Sequence, residues 1–161
     1  MKHIKVFAPG TVANLGCGFD IMGLTLDGVG DRIEVAAEAG ASGLAIRNES
    51  GKRLPEKPED NVITPAVAAL LEAYGKPVRV EITILEKIAP GSGIGSSAAS
   101  SAAAVYGLNE AVPELMTIAE AGKIAIILGS MIAGGIVISG LFTIAALNKF
   151  VNMKSNKIYL Y

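Results

Sequence analysis

The stretch Ala89-Pro90-Gly91-Ser92-Gly93-Ile94-Gly95-Ser96-Ser97 limits what this chain can fold into more than any other. Three glycines at alternate positions do not make a stable helix or strand, because each loses more backbone entropy on ordering than any other residue. They do admit φ > 0 and leave no Cβ to hold a ligand off the main chain. The run behind them, Ala98-Ala99-Ser100-Ser101-Ala102-Ala103-Ala104, changes character at once. Alanine is the best helix former, and a serine in a first turn can satisfy amides that lack a partner there. A glycine loop therefore feeds a helix N-terminus, whose free N–H groups and roughly half a positive charge suit a phosphate. Close packing of a helix on a sheet is the other use for small residues at this spacing, and the loop alone does not separate the two. It is not a Walker A loop, since no lysine follows the last glycine, and it is not Gly-x-Gly-x-x-Gly.

At 161 residues the chain has the length of one ordinary domain. A formal net charge of -1 and a pI near 5.8 give no expectation of nucleic acid as a partner. Cys17 is the single cysteine, which excludes an internal disulfide and fits a reducing, cytoplasmic setting. Met1-Lys2-His3-Ile4-Lys5-Val6 lacks the long apolar core of a signal peptide. Charge is unevenly spread: every Asp and Glu lies at or before Glu120, and beyond it only Lys123, Lys149, Lys154 and Lys157 are charged. Two kinds of sequence are joined, with a division expected between 1–112 and 113–161.

Along the chain, residues 3–8 predict a short strand ended by Pro9-Gly10, with His3 a solvated strand residue. Thr11 to Leu24 reads as a glycine-punctuated loop that carries Asn14 and Asp20 among apolar neighbours. A carboxylate in such company is expensive to bury without partners. The pair serves either as turn formers or as ligand contacts, and the small residues around them leave room for a ligand. Asp31 to Glu38 alternates as a half-buried strand, and Ala39 to Lys57 reads as a polar excursion. Asn61-Val62-Ile63-Thr64-Pro65 opens a helix, with Thr64 placed to cap and Pro65 at the first helical position, and Gly75 ends it. Val78 to Leu85 alternates again and delivers the chain into the glycine loop, so strand, loop and helix follow in the order that a phosphate cradle needs.

Two motifs carry a resemblance. Pro90-Gly91-Ser92-Gly93-Ile94-Gly95-Ser96-Ser97-Ala98-Ala99 resembles the ATP loop of the GHMP kinases, a family of small-molecule kinases. Ala8-Pro9-Gly10-Thr11-Val12-Ala13-Asn14-Leu15-Gly16-Cys17-Gly18-Phe19-Asp20 is similar to the front loop of the family's homoserine kinase branch in particular. Asp60-Asn61-Val62 is a weaker third match, and the likeness spans residues 4 to about 110. The resemblance implies an α+β fold like ribosomal protein S5 domain 2, with main-chain groups from Pro90 to Ala99 around ATP and Asn61 near the base. It also implies Mg²⁺ on the Ser97 hydroxyl. Asn14 and Asp20 would hold L-homoserine, with Asp20 accepting a hydrogen bond from the attacking hydroxyl on the way to O-phosphohomoserine, an intermediate of threonine biosynthesis.

After Pro113 the motifs stop. Lys123 stands where the resemblance expects a Mg²⁺-ligating glutamate, and the family's His-Ala-Asp-Asn signature and C-terminal domain are not found, so the chain is expected to be a truncated form with little activity. Ile124 to Asn148 contains no charged residue, enough for the roughly 20 apolar residues of a membrane span. Its lysine flanks suit one, whereas Gly129, Gly134, Gly135 and Gly140 and the strand-like Ile136-Val137-Ile138 suit a buried core. The alternative to a kinase is a non-catalytic nucleotide-binding remnant with a self-associating or membrane-attaching tail.

Overall fold

In the computed structural model the described residues are 1–112, without the side chains of residues 18–21. The expectations placed on 113–161, the apolar stretch and Lys123 among them, lie outside the described residues. The elements run Lys2–Leu15 (β1), Gly18–Ala39 (β2), Gly43–Asn48 (β3), Thr64–Tyr74 (α1), Val78–Glu86 (β4) and Ser96–Ala111 (α2). Their strands form one sheet in the order β1-β2-β4-β3, antiparallel except for the β3/β4 pair.

Period-two alternation gives this sheet one apolar and one charged face. Ile33, Val35 and Ala37 of β2 and Val78, Val80, Ile82 and Ile84 of β4 point inward, and the register aligns Ile33 with Ile84 and Val35 with Ile82. Outward, Lys5 and Arg32 pair with Glu34 and Glu86, and Arg79 with Glu81. The helices form the second layer: α2 lies on β1 and β2, and α1 beside α2. Ala66, Val67 and Leu70 of α1 and Ala99, Ala103 and Leu108 of α2 close the core. The layered arrangement is the α+β fold expected from the sequence.

The small residues of α2 let it sit close to the sheet. A Cβ added at Gly107 would lie 2.7 Å from Cγ2 of Val35 and 3.1 Å from Cγ2 of Val6. Packing on the sheet thus accounts for the small residue at the far end of the helix, at Gly107, and leaves the glycines before its N-terminus to be explained separately.

Four local expectations change. β1 does not stop at Pro9-Gly10 but continues to Leu15, with its register shifting between Pro9 and Thr11. The proline is tolerated because β1 is an edge strand, where a missing N–H breaks no second ladder. The stretch from Thr11 to Leu24 is not a loop but a two-stranded ribbon, Thr11 opposite Thr25 and Leu15 opposite Gly18. The supposed polar excursion contains β3, a six-residue edge strand with only Ile46 buried, so its alternation is too weak to stand out among polar neighbours. Thr64 does not cap α1: it is the first helical residue, and its hydroxyl donates to the Pro58 carbonyl at 2.5 Å. Gly75 ends α1 as expected, at φ 68° with its N–H on the Leu71 carbonyl.

Candidate functional site

β4 ends at Glu86, and the chain then passes through Lys87 and Ile88 into the glycine loop. Gly91, Gly93 and Gly95 have φ of 77°, 75° and 73°, a left-handed conformation that side chains rarely adopt. Space differs among them. A Cβ at Gly91 or Gly93 would meet nothing within 4 Å, whereas one at Gly95 would lie 2.6 Å from Oγ1 of Thr11. The outer glycines keep an open approach to the backbone, and Gly95 makes room for β1.

That contact joins the two motifs. The Thr11 N–H donates to the Ile94 carbonyl at 3.0 Å, so the front motif and the glycine loop form one surface although they are far apart in sequence. The first intrahelical bond of α2 here is from the Ala99 N–H to the Gly95 carbonyl, at 2.9 Å. The N–H groups of Ser96, Ser97 and Ala98 precede it and face outward from the helix end as donors. Ala99 itself offers no such donor, and its side chain lies in the core.

The serines divide between scaffold and site. None caps α2, whose cap position is Gly95. The Ser96 hydroxyl donates to the Ile88 carbonyl at 3.1 Å, the Ser100 hydroxyl to Asp31 Oδ2 at 2.5 Å, and the Ser101 hydroxyl to the Val62 carbonyl at 3.3 Å. The half-buried Ser97 hydroxyl has no hydrogen-bond partner among the described residues. Of the four serines of α2, it is the one whose hydroxyl is left to meet a ligand.

Beneath the loop lies a cluster that the motifs do not predict. Lys87 and Asp31 form an ion pair at 2.8 Å, with side chains 4% and 0% exposed. Lys87 Nζ also donates to the Ser96 carbonyl at 2.7 Å and to the Ser96 hydroxyl, and Asp31 Oδ1 accepts the Ile88 N–H at 2.8 Å. Burial pushes the Lys87 ammonium below its ordinary 10.5, and the hydrogen bond and charge of Asp31 oppose that shift. One signal in the sequence pointed here: Asp31 shares the inward parity of Ile33, Val35 and Ala37, and a carboxylate in an inward register requires a buried partner.

Asn61 is 5% exposed and bonded through both its amide nitrogen and its amide oxygen. Its amide donates to the Pro55 carbonyl at 2.5 Å and its Oδ1 accepts the Ile63 N–H at 3.1 Å. Pro55 in turn lines an open cleft of about 510 Å³ with Asn48, Lys52, Arg53, Leu54 and Glu56. Asn61 thus holds a wall of that cleft, and the Ser101 bond to Val62 ties the same segment to α2. Asn14 sits at a register shift near the tip of the ribbon with φ of 60°, about 10 Å along β1 from Thr11 at 3.3 Å per residue. Asp20 lies on β2 near that tip, and its side chain is outside the described residues.

For magnesium, the described residues contain no group of three His, Cys, Asp or Glu side chains that could hold an ion. An unpartnered hydroxyl beside the open N-terminus of a helix nevertheless fits the ion's habit of binding through few protein groups together with substrate phosphates and water.

The sequence matches the model of the GHMP kinases N terminal domain over residues 61–147, so the likeness runs further along the chain than the motifs carry it. A homoserine kinase of Natronomonas pharaonis is 39% identical over 150 residues, covering 88% of this chain and 49% of that protein. One from Methanococcus maripaludis is 36% identical over 110 residues, covering 68% and 36%. The chain therefore spans half or less of the length of these relatives. The crystal structure of homoserine kinase from Cytophaga hutchinsonii aligns with a TM-score of 0.74 at 35% identity, over 84% of this chain and 43% of that one. A mevalonate kinase from Staphylococcus aureus, at 19% identity and a TM-score of 0.56, shares the fold. With its glycine loop, its front ribbon and a match over more than half its length, the chain belongs to the GHMP kinases through their N-terminal domain.

Proposed function

We propose that this chain is the nucleotide-binding part of an ATP-dependent homoserine kinase, with residues 1–112 as its ATP-binding unit. The observation that carries the reading is the glycine loop: left-handed at Gly91 and Gly93 with open space above both, it leads into three unpaired N–H groups at the start of α2. Such a loop suits the triphosphate of ATP. The homoserine kinase relatives supply the substrate class.

In this reading the amides from Gly91 to Ala98, except that of Ser92, which is bonded to the Ala89 carbonyl, bind the phosphates and the Ser97 hydroxyl would help to hold Mg²⁺, which supplies charge neutralisation when bound. The cleft beside Asn61 would take the base. Asn14 and Asp20 would orient homoserine. Its hydroxyl oxygen bonds to the γ-phosphorus as the bond to the ADP oxygen breaks, and the hydroxyl proton leaves toward the Asp20 carboxylate. Transfer of this kind depends on positioning and charge stabilisation more than on covalent help, so loop amides can carry much of it.

Titration of the chain with MgATP, with and without homoserine, followed by amide-resolved NMR, tests the reading. Shifts centred on residues 91–98 that change further when homoserine is added support it, and an unperturbed loop refutes it. Lys123, in the place of an expected magnesium-binding glutamate, favours a second reading in which the chain binds nucleotide without turning it over. Phosphorylation of homoserine by the isolated chain at the rate of an ordinary enzyme would rule that out. Attachment to membranes or self-association through 113–161 belongs to the second reading and is separated by fractionation.

A further inference from the structure

The nucleotide-binding role proposed above makes no use of the ion pair under the loop. Lys87 Nζ has three hydrogens and three acceptors around it: Asp31 Oδ2, the Ser96 carbonyl and the Ser96 hydroxyl. No donor remains for a phosphate. Asp31, for its part, receives Lys87, the Ile88 N–H and the Ser100 hydroxyl. Its carboxylate meets α2 directly at Ser100 and, through Lys87, at Ser96, near the helix end whose dipole already favours negative charge. The same dipole is what draws an anionic ligand to the helix end, so an uncompensated carboxylate there competes with a phosphate.

We propose that Lys87 is a positioning residue for the phosphate loop: it ties Ser96 to the end of β4 and neutralises Asp31. The N-terminus of α2 then meets the nucleotide phosphates with no unbalanced negative charge behind it. This rests on the nucleotide-binding role of the loop, but it makes a prediction of its own. As a set of hydrogen bonds the pair is mutual, and losing either partner would do equal harm. As a charge arrangement it is one-sided. Lys87→Met leaves a carboxylate behind the loop that still accepts the Ile88 N–H and the Ser100 hydroxyl, two donors that suit its charged form. Asp31→Asn leaves an ammonium that either keeps its charge or, being buried, releases its proton, and neither state repels a phosphate.

The test compares trinitrophenyl-ATP with Mg²⁺ against trinitrophenyl-adenosine, by fluorescence, on the parent chain, Lys87→Met, Asp31→Asn and the double variant. Lys87→Met is expected to weaken the triphosphate by about tenfold and leave the adenosine probe alone, while Asp31→Asn and the neutral double variant stay within about threefold of the parent. Equal losses for the two single variants, or equal losses for both probes, would show a merely structural role and overturn the proposal. If Lys87→Met does not fold, the double variant decides, because tenfold weaker triphosphate binding in that chargeless background is incompatible with a charge effect. A parent chain that binds neither probe removes the nucleotide reading and this proposal together, whereas a parent that binds with Lys87→Met unchanged removes only the proposal.

Discussion

The Thr11 N–H donates to the Ile94 carbonyl at 3.0 Å, and the Thr11 hydroxyl stands where a Cβ at Gly95 would have to go. The front ribbon is thus latched onto the glycine loop by main-chain atoms, and the latch depends on Gly95 having no side chain. Gly95→Ala and Gly93→Ala share a similar positive φ, and each is expected to cost about 1 kcal/mol for backbone strain. Gly95→Ala adds a 2.6 Å clash with Thr11, so overpacking should bring its total to about 2–4 kcal/mol. Gly93→Ala, with open space around it, should keep the fold and lose MgATP affinity. Denaturant melts and nucleotide titrations of the two variants check the contrast, which fails if Gly93→Ala binds as the parent does.

Gly107 tests how closely α2 lies on the sheet. Alanine is the better helix former by roughly 1 kcal/mol, so an exposed Gly→Ala change here would stabilise. Val35 Cγ2 would lie 2.7 Å from the new methyl group, and forcing it into a filled core costs typically 1–3 kcal/mol. A net loss of stability in urea or thermal melts is expected, and a gain would show that the helix stands further from β1 and β2.

Legibility from sequence followed the strength of local periodicity. β4, Gly75 and the start of α2 were readable because alternation, a left-handed terminator and an abrupt run of small residues are local signals. β3 was not, since an edge strand with Ile46 as its buried residue needs the neighbouring β4 to define it. The ribbon from Thr11 to Leu24 reads as a loop in the sequence because its glycines suggest turns, and only the pairing of Val12 with Leu24 and Ala13 with Gly23 reveals two strands. Within the candidate site, the glycine loop was found by motif. The Asp31, Lys87 and Ser100 cluster was not, because its members are brought together by strand register and helix placement rather than by spacing. Of the serines, sequence singled out Ser97 by resemblance alone, and the geometry adds a physical reason: the hydroxyls of Ser96, Ser100 and Ser101 are already engaged.

Asn61 is expected to act on the nucleotide through the wall it holds. Asn61→Ala removes the bonds to the Pro55 carbonyl and the Ile63 N–H, leaving the buried Ile63 N–H unpaired at about 1–3 kcal/mol. The loosened 55–63 segment should also weaken binding of adenosine and ATP alike, unlike a change in the phosphate loop. Thermal melts together with paired titrations of the two ligands read both effects, and a selective loss of ATP would contradict the assignment of the cleft to the base.

On the charged face of the sheet, Glu34 should give stability a measurable acid dependence. Its carboxyl is held below the ordinary 4.5 chiefly by the His3 hydrogen bond, against the opposing effect of burial and with help from the charge of Lys5. His3 Nδ1 lies 2.9 Å and Lys5 Nζ 3.5 Å from its oxygens. A carboxylate with a depressed folded-state pKa stabilises above its unfolded value and loses that contribution as pH falls through the folded one. The parent should therefore melt higher than Glu34→Gln above about pH 5.5, and the gap should close toward about pH 3. High salt should shrink the gap, because both partners are exposed and screened. A difference in melting temperature that stays constant across this range would mean that Glu34 acts through packing rather than through its charge.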